Sequence, residues 1–213
     1  MKKSEFQAYV EEVGRLKEKY KDRIHVLLGV ESDFFAEHIS HYEMQYKKYQ
    51  FDYIIGSVHF VDGINIFQRG RFDSLTDAER IQVKERYYEQ IKASAQSGLF
   101  QILGHIDAMK GFYPPFSTLK TEMVDQTLKI IGEEQVAIEI NTSGKTKDVG
   151  GWYPADDILE RALFYEVPVT FGSDAHHPER IADDFDVVRQ KLKEIGYKEW
   201  VYFINRKPVV TNL

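Results

Sequence analysis

The chain has 213 residues, 43% of them hydrophobic, which is enough to bury one sizeable core. Its 28 Lys and Arg residues and 34 Asp and Glu residues give a formal net charge of −6, which argues against a dedicated nucleic-acid-binding protein, because such proteins carry a basic surface. The absence of cysteine excludes disulfides, thiolate metal sites and thiol catalysis, and no apolar run approaches the ~20 residues of a membrane span.

Apolar runs of strand length alternate with segments in which apolar residues recur at helical spacing. Residues 1–10 have a basic tip but no apolar segment, so no signal peptide is predicted and we expect a cytoplasmic protein. In chain order the predicted elements are a helix at 4–20, a strand at 24–30, a helix at 34–49, a strand at 53–58, a helix at 76–96, a strand at 100–104, a helix at 121–131, a strand at 136–140, a helix at 155–165, a strand at 168–172, a helix at 178–195, and two short strands near 200–204 and 209–211.

Repeated strand–helix units predict a parallel sheet with helices on its faces, in a single domain spanning residues 1–213. Thr76 and Glu79 form a capping-box pattern at the start of the longest helix. A complete barrel of this class typically has ~250 residues and opens on a strand. This chain is shorter and opens on a helix, so we expect a barrel that lacks its first strand–helix unit or units.

Five predicted strands deliver potential metal ligands at their carboxyl ends, which is where the sites of parallel barrels lie. Taken singly, each side chain has an ordinary structural explanation. Glu31 and Asp33 could favour the amino end of a helix, Asp174 could cap the helix that Pro178 begins, and Glu139 could simply point into the barrel. Four histidines fit a structural or surface role better than a ligand role: His25, His38, His41 and His177.

Taken together, Glu31, His59, His105, Asp174 and His176 supply nitrogen and oxygen ligands without sulfur. This donor set suits Zn²⁺, Mn²⁺ or Fe²⁺ rather than Ca²⁺ or a lone Mg²⁺. A carboxylate such as Glu31 can bridge two cations, and two metals ~3.5–4 Å apart can clamp a transferring phosphoryl group. The residues therefore predict a divalent metal site.

Five motifs in this order resemble the histidinol-phosphate phosphatases of the PHP (polymerase and histidinol phosphatase) family. The resemblance runs from about residue 10 to the C-terminus. It implies a distorted (βα)7 TIM-like barrel with a trinuclear metal site, which hydrolyses L-histidinol phosphate to L-histidinol and phosphate in histidine biosynthesis. The motifs are Gly-Val-Glu-Ser-Asp at 29–33, Gly-Ser-Val-His at 56–59, Gly-His-Ile-Asp at 104–107, Glu-Ile-Asn-Thr-Ser-Gly at 139–144 and Gly-Ser-Asp-Ala-His-His-Pro at 172–178.

The resemblance also implies roles for individual residues. Glu31 corresponds to a bridging carboxylate, His59 and His105 to metal ligands, and Asp174 and His176 to catalytic residues that hold the metals from the opposite side. Members of the family open on a strand with a His-x-His motif, and no such motif occurs in this chain. We therefore expect fewer than the three metal ions of the family.

Basic residues on the loops after the strands are candidates for a phosphate cradle, and Lys110, Lys145 and Arg180 fit this position, although each could equally be structural. Asn141 could donate to substrate or to metal-bound water, or simply cap its turn. Two alternatives remain open from the sequence: a different small phosphate monoester or nucleotide as substrate, or an inactive remnant of the family. An open barrel exposes strand edges, so self-association is also predicted.

Overall fold

The computed structural model describes residues 3–213, so residues 1 and 2 of the predicted domain lie outside it. Among the described residues, no helix is long and apolar enough to cross a membrane. In chain order the elements are α1 (Phe6–Tyr20), β1 (Gly29–Asp33), α2 (Ile39–Tyr46), β2 (Tyr53–Ser57), β3 (Phe60–Val61), β4 (Ile64–Asn65), α3 (Asp77–Gln96), β5 (Ile102–Leu103), α4 (Met123–Glu133), β6 (Ala137–Asn141), α5 (Asp156–Phe164), β7 (Val169–Gly172), α6 (Phe185–Ile195), β8 (Glu199–Ile204) and β9 (Lys207–Asn212).

Five of these strands form one parallel sheet in the order β1-β2-β5-β6-β7. The predicted parallel α/β architecture is confirmed. In the part of the chain that the structure describes, β1 and β7 are the outer strands of this sheet and do not pair with each other. All five carboxyl ends meet at one edge, and this edge carries the predicted ligands.

The sheet forms because one face of its strands is apolar and packs against the helices that cover it. Every residue of β6 is buried, and Ile54, Ile138 and Ile140 are completely inaccessible to solvent. The covering helices contribute Leu128 from α4 and Leu159 from α5, which are equally buried. Each such side chain stabilises the fold by about 1.5–3 kcal/mol relative to an exposed one.

A carboxyl-terminal hairpin of β8 and β9 packs against the sheet near the amino ends of its strands. Its turn residues, Asn205 and Arg206, both have positive φ (51° and 62°), as a tight two-residue hairpin turn requires. Val201 and Phe203 of β8 pack with Ile102 of β5. The hairpin therefore covers sheet surface that the helices leave uncovered.

Two predicted boundaries are wrong. The first strand was expected at 24–30, but pairing with β2 begins only at Gly29, opposite Tyr53. The amide of Leu28 is instead bound by the side chain of Asp52, at 2.8 Å. As a result, Glu31 lies within β1 rather than just after it.

The last helix was expected to begin at Pro178, but α6 begins at Phe185. Residues 178–180 form a single 3₁₀ turn, and Ala182 and Asp184 both have φ of 59°, a left-handed conformation that interrupts a helix. Asp174 therefore does not cap a helix. The capping box of Thr76 and Glu79 at the start of α3 is confirmed.

Candidate metal centre

Three predicted ligands from three strand ends converge at the carboxyl edge of the sheet. Glu31 comes from β1, His59 follows β2, and His105 follows β5. The two imidazole Nε2 atoms lie 3.2 Å apart, and Oε1 of Glu31 lies 3.3 Å from Nε2 of His105 and 3.7 Å from Nε2 of His59. The three ligand atoms lie within 4.8 Å of one another.

These separations fit one divalent cation. Bonds of ~2.1 Å in a tetrahedral arrangement place neighbouring ligand atoms ~3.4 Å apart. The observed edges of 3.2, 3.3 and 3.7 Å are close to that value. Two imidazoles and one carboxylate form a donor set that Zn²⁺, Mn²⁺ and Fe²⁺ accept. The three side chains can therefore hold such an ion with little rearrangement.

Neighbouring side chains orient these ligands. Oδ1 of Asp33 lies 2.6 Å from Nδ1 of His59, so Nδ1 carries the proton and Nε2 is left to face the centre of the site. Ser57 donates a hydrogen bond to Oε1 of Glu31 at 2.6 Å. A role for Asp33 in the metal site could have been predicted from the sequence, because residues two apart on a strand share a face, and Asp33 lies two residues after Glu31.

His105 has an unusual backbone conformation, with φ of +24°, and the buried carboxylate of Glu139 supports it. Oε2 of Glu139 accepts hydrogen bonds from the backbone amide of His105 at 3.2 Å and from Nδ2 of Asn141 at 3.0 Å. Gly172 makes room for this carboxylate, since a Cβ at that position would lie 1.9 Å from Oε1 of Glu139. Glu139 thus points into the barrel, which the sequence pattern had given as one possible role for this residue.

The electrostatics of the site favour a positive charge at its centre. Burial by itself would raise the pKa of the Glu31 carboxyl, but the interaction with His105 and the hydrogen bond from Ser57 outweigh burial and lower the pKa to about 2. Burial would lower the pKa of His105, yet its hydrogen bond with Glu31 and the negative charge of Glu139 raise it. A divalent cation bound between these side chains would supply this positive charge.

The three ligands line a pocket of about 270 Å³, to which Asp174 and His176 also contribute. Nδ1 of His176 lies 2.9 Å from the carbonyl oxygen of Asp174, which leaves Nε2 of His176 without a protein partner among the described residues. The side chain of His176 is 81% exposed and lies at the mouth of the pocket. Asp174 and His176 are therefore beside the three-ligand cluster and not part of it.

The cations predicted for a phosphate cradle do not line this pocket. Lys110 is buried and paired with Asp107 at 2.7 Å, facing a different cavity. Lys145 is paired with Asp183 and Asp184, and the guanidinium of Arg180 is also paired with Asp183.

The lysine that does line the pocket is Lys147, which the sequence analysis did not single out. Lys147 directly follows the 3₁₀ turn at Thr142–Thr146, whereas Lys145 lies within that turn. Asn141 is buried, and its side chain is engaged within the protein, by Glu139 and by the amide of Ser143 at 2.9 Å. A substrate-binding role for Asn141 stays a prediction.

A nitrogen- and oxygen-liganded centre at the carboxyl ends of parallel strands places the protein among candidate metal-dependent enzymes with a TIM-like α/β fold. Residues 2–143 match the PHP domain, and the chain belongs to the PHP family. The resemblance predicted from the five motifs is confirmed.

Relatives of the chain carry consistent names. It is 29% identical over 210 residues to a protein of Deinococcus radiodurans named "Probable histidinol-phosphatase", covering 97% of this chain and 78% of that protein. It is 31% identical over 195 residues to the histidinol-phosphatase of Bacillus subtilis, covering 83% of this chain and 72% of the relative.

A solved structure shares the fold. The histidinol phosphate phosphatase of Lactococcus lactis, in complex with zinc, L-histidinol and phosphate, superposes with a TM-score of 0.73 at 19% identity. The match covers 96% of this chain and 79% of that protein. At this level of identity the similarity establishes the fold, and the chemistry has to be argued from the residues of this chain.

Proposed function

We propose that the protein is a metal-dependent phosphatase that hydrolyses L-histidinol phosphate to L-histidinol and phosphate, as a step of histidine biosynthesis. The observation that carries the proposal is the convergence of Glu31, His59 and His105 at the carboxyl edge of the sheet. The relatives named histidinol-phosphatase align with nearly the whole chain and support the choice of substrate.

Glu31, His59 and His105 would hold a divalent ion (Zn²⁺, Mn²⁺ or Fe²⁺), and Asp174 and His176 would complete the site from the opposite wall. When bound, such an ion supplies the positive charge and the activated water that hydrolysis of a phosphate monoester needs. In this proposal Nε2 of His176, which lines the pocket, would bind an ion or give a proton to the departing alcohol. The number of ions bound stays a prediction.

Lys147 is the residue that we propose to bind the phosphoryl group. It is the one lysine or arginine among the pocket-lining residues in the described part of the chain. A lysine ammonium donates up to three hydrogen bonds and carries the charge opposite to that of a phosphate. Phe67 and Tyr153 supply apolar wall to the same pocket and would contact the organic part of the substrate.

The proposal is tested by measuring bound metal and phosphate release from histidinol phosphate. We expect chelation with EDTA to abolish turnover, and added Mn²⁺ or Zn²⁺ to restore it. His59→Ala should lower metal content and reduce turnover by about 100-fold or more, because it removes a direct ligand. His25→Ala is the matched control, since His25 is an exposed histidine outside the site. Unchanged metal content in His59→Ala would show that the ligand assignment is wrong.

The same assay separates the alternative substrates and the inactive remnant. Faster turnover of a nucleoside monophosphate than of histidinol phosphate would replace the proposed substrate. Full metal occupancy without any phosphate release would identify an inactive relative.

We also propose that residues 1–213 form a single PHP domain. One cluster of buried side chains, with its partly buried neighbours, runs from Phe6 of α1 to Leu213, which supports one continuous core. A cytoplasmic location and self-association stay predictions from the sequence.

A further inference from the structure

Another cavity adjoins the metal pocket on the inner face of the sheet. It has a volume of about 410 Å³ and lies between the five strands of the sheet and the hairpin strand β8. Glu31 and Asp174 border both spaces, and the other residues of this cavity do not line the metal pocket. A space of this size accommodates a small organic molecule.

The ionisable side chains in the wall of this cavity are all acidic. Three carboxylates line it, those of Glu31, Glu139 and Asp174, and no lysine, arginine or histidine from the described part of the chain does so. A metal ion in the adjoining pocket would lie next to Glu31 and Asp174 and would compensate their charge. Glu139 is not one of the metal ligands, so its charge is left for an occupant of the cavity.

Glu139 presents one carboxylate oxygen to the cavity without a partner. The residue is 6% exposed, and its Oε2 accepts the hydrogen bonds from the amide of His105 and from Nδ2 of Asn141. Oε1 accepts none from the described residues, yet it is not among the polar atoms that are sealed off from solvent. It lies against the backbone of Gly172, which lines the cavity. A buried carboxylate oxygen in this position calls for a hydrogen-bond donor inside the cavity.

Aromatic rings form much of the remaining wall. Between ring centroids, Phe171 lies 5.2 Å from Phe185 and 5.2 Å from Trp200. Trp200 in turn lies 5.7 Å from Tyr202. All four side chains line the cavity and are only partly buried, so solvent reaches it from this side. The faces of aromatic rings attract cations, and they do so more strongly where water is excluded.

A further metal ion fits this wall less well than an organic cation does. Among the described residues, the ligand atoms that lie within 4.8 Å of one another belong to Glu31, His59 and His105. Neither Glu139 nor Asp174 is part of such a group. A metal site needs three or four converging ligands, whereas an ammonium ion can be held by one carboxylate and an aromatic surface.

We propose that this cavity binds a small organic ammonium ion with an apolar or aromatic body. The ammonium would donate a hydrogen bond to Oε1 of Glu139, and the body would lie against Phe171, Trp200 and Tyr202. An organic anion is disfavoured, because it would meet carboxylates and no cationic side chain. The inference does not depend on the phosphatase proposal.

The experiment is calorimetric titration of the metal-loaded, full-length protein with 2-phenylethylamine at neutral pH, where its amino group is protonated. 2-Phenylethanol, which has the same body and a neutral hydroxyl, is the matched control compound. We expect the amine to bind at least about tenfold more tightly than the alcohol, because only the amine combines a charge-assisted hydrogen bond with a cation–π contact.

Two variants assign the binding to this cavity. Glu139→Gln removes the negative charge and should weaken amine binding about tenfold, with little effect on the alcohol. Trp200→Leu keeps an apolar wall without the aromatic face and should weaken amine binding several-fold. Glu134→Gln is the control, because Glu134 is an exposed glutamate outside the cavity. Trp200 does not line the metal pocket, so Trp200→Leu keeps the test decisive if Glu139→Gln fails to fold or loses its metal.

Three outcomes would overturn the proposal: no binding of the amine, equal binding of amine and alcohol, or amine binding that Trp200→Leu leaves unchanged. The last outcome would mean that the amine binds elsewhere, for example at the metal centre.

Discussion

Lys147 and Lys145 lie two residues apart on one loop, yet only Lys147 lines the metal pocket. We expect Lys147→Met to lower kcat/KM for histidinol phosphate by about 10- to 100-fold, the effect of losing a charge-assisted hydrogen bond worth about 1.5–3 kcal/mol. Lys145→Met is the matched control and should stay close to wild type, since Lys145 is held by Asp183 and Asp184. Steady-state kinetics of both variants check this, and equal losses would contradict the assignment.

The contrast between these lysines shows what could be predicted at the residue scale. Glu31, His59 and His105 were found from the sequence because parallel strands must bring their carboxyl ends to one edge, whatever the loops do. Which lysine faces the pocket depends on the exact path of the turn at 142–146, and no periodicity encodes that path. Loop residues are therefore where the site prediction was incomplete.

Among the secondary-structure elements, Asp52 joins segments that are distant in sequence. Its buried carboxylate accepts hydrogen bonds from the amide of Leu28 at 2.8 Å and of Asn205 at 3.1 Å, and pairs with Lys17 at 3.2 Å. It thus ties α1, the segment before β1 and the hairpin turn to the start of β2. We expect Asp52→Ala to lower the free energy of unfolding by about 1–3 kcal/mol, because the buried amide of Leu28 loses its acceptor. Chemical denaturation measures this.

The contribution of Asp52 should also depend on pH. Burial raises the pKa of this carboxyl, but its hydrogen bonds with Leu28 and Asn205 and its pair with Lys17 lower the pKa overall. A lowered pKa in the folded state means that the stabilisation is present above the ordinary Asp value of ~3.9 and is lost as the pH falls further. The stability difference between wild type and Asp52→Ala should therefore shrink below about pH 4. A difference that stays constant down to pH 2.5 would contradict this account.

The boundaries of the elements were less predictable than their order. Every predicted strand of the sheet is present in the structure, because a short run of apolar residues indicates a buried strand. The start of β1 depends on a carboxylate 24 residues away that binds the amide of Leu28, and the start of α6 depends on two residues with left-handed backbone conformation. Both are tertiary or local-conformational effects that apolar periodicity does not record.

At the scale of the whole molecule, the main feature of the architecture is the outer edge of β1, which has no neighbouring strand among the described residues. Among residues 3–213, β1 pairs with no strand but β2, and on its other edge the carbonyl oxygens of Gly29 and Asp33 accept hydrogen bonds from the hydroxyls of Tyr9 and Tyr42 instead of from a strand. Such edges favour association with another strand. Self-association therefore stays a prediction for this chain.

The three metal ligands come from three different strands, β1, β2 and β5, and this arrangement has a consequence for folding. An ion held by all three would act as a removable cross-link between the outer strand and the middle of the sheet. A ligand at 100 times its dissociation constant stabilises the folded state by about 2.7 kcal/mol, which for a chain of this size raises Tm by about 5–10 °C.

Thermal unfolding with and without EDTA should show that rise in the wild type, and His59→Ala should show little of it. A wild-type Tm that does not change when the ion is removed would mean that the strands are held in register without it. If the rise is found, Zn²⁺ or Mn²⁺ supply would control how much folded protein is present, and not only how fast each molecule works.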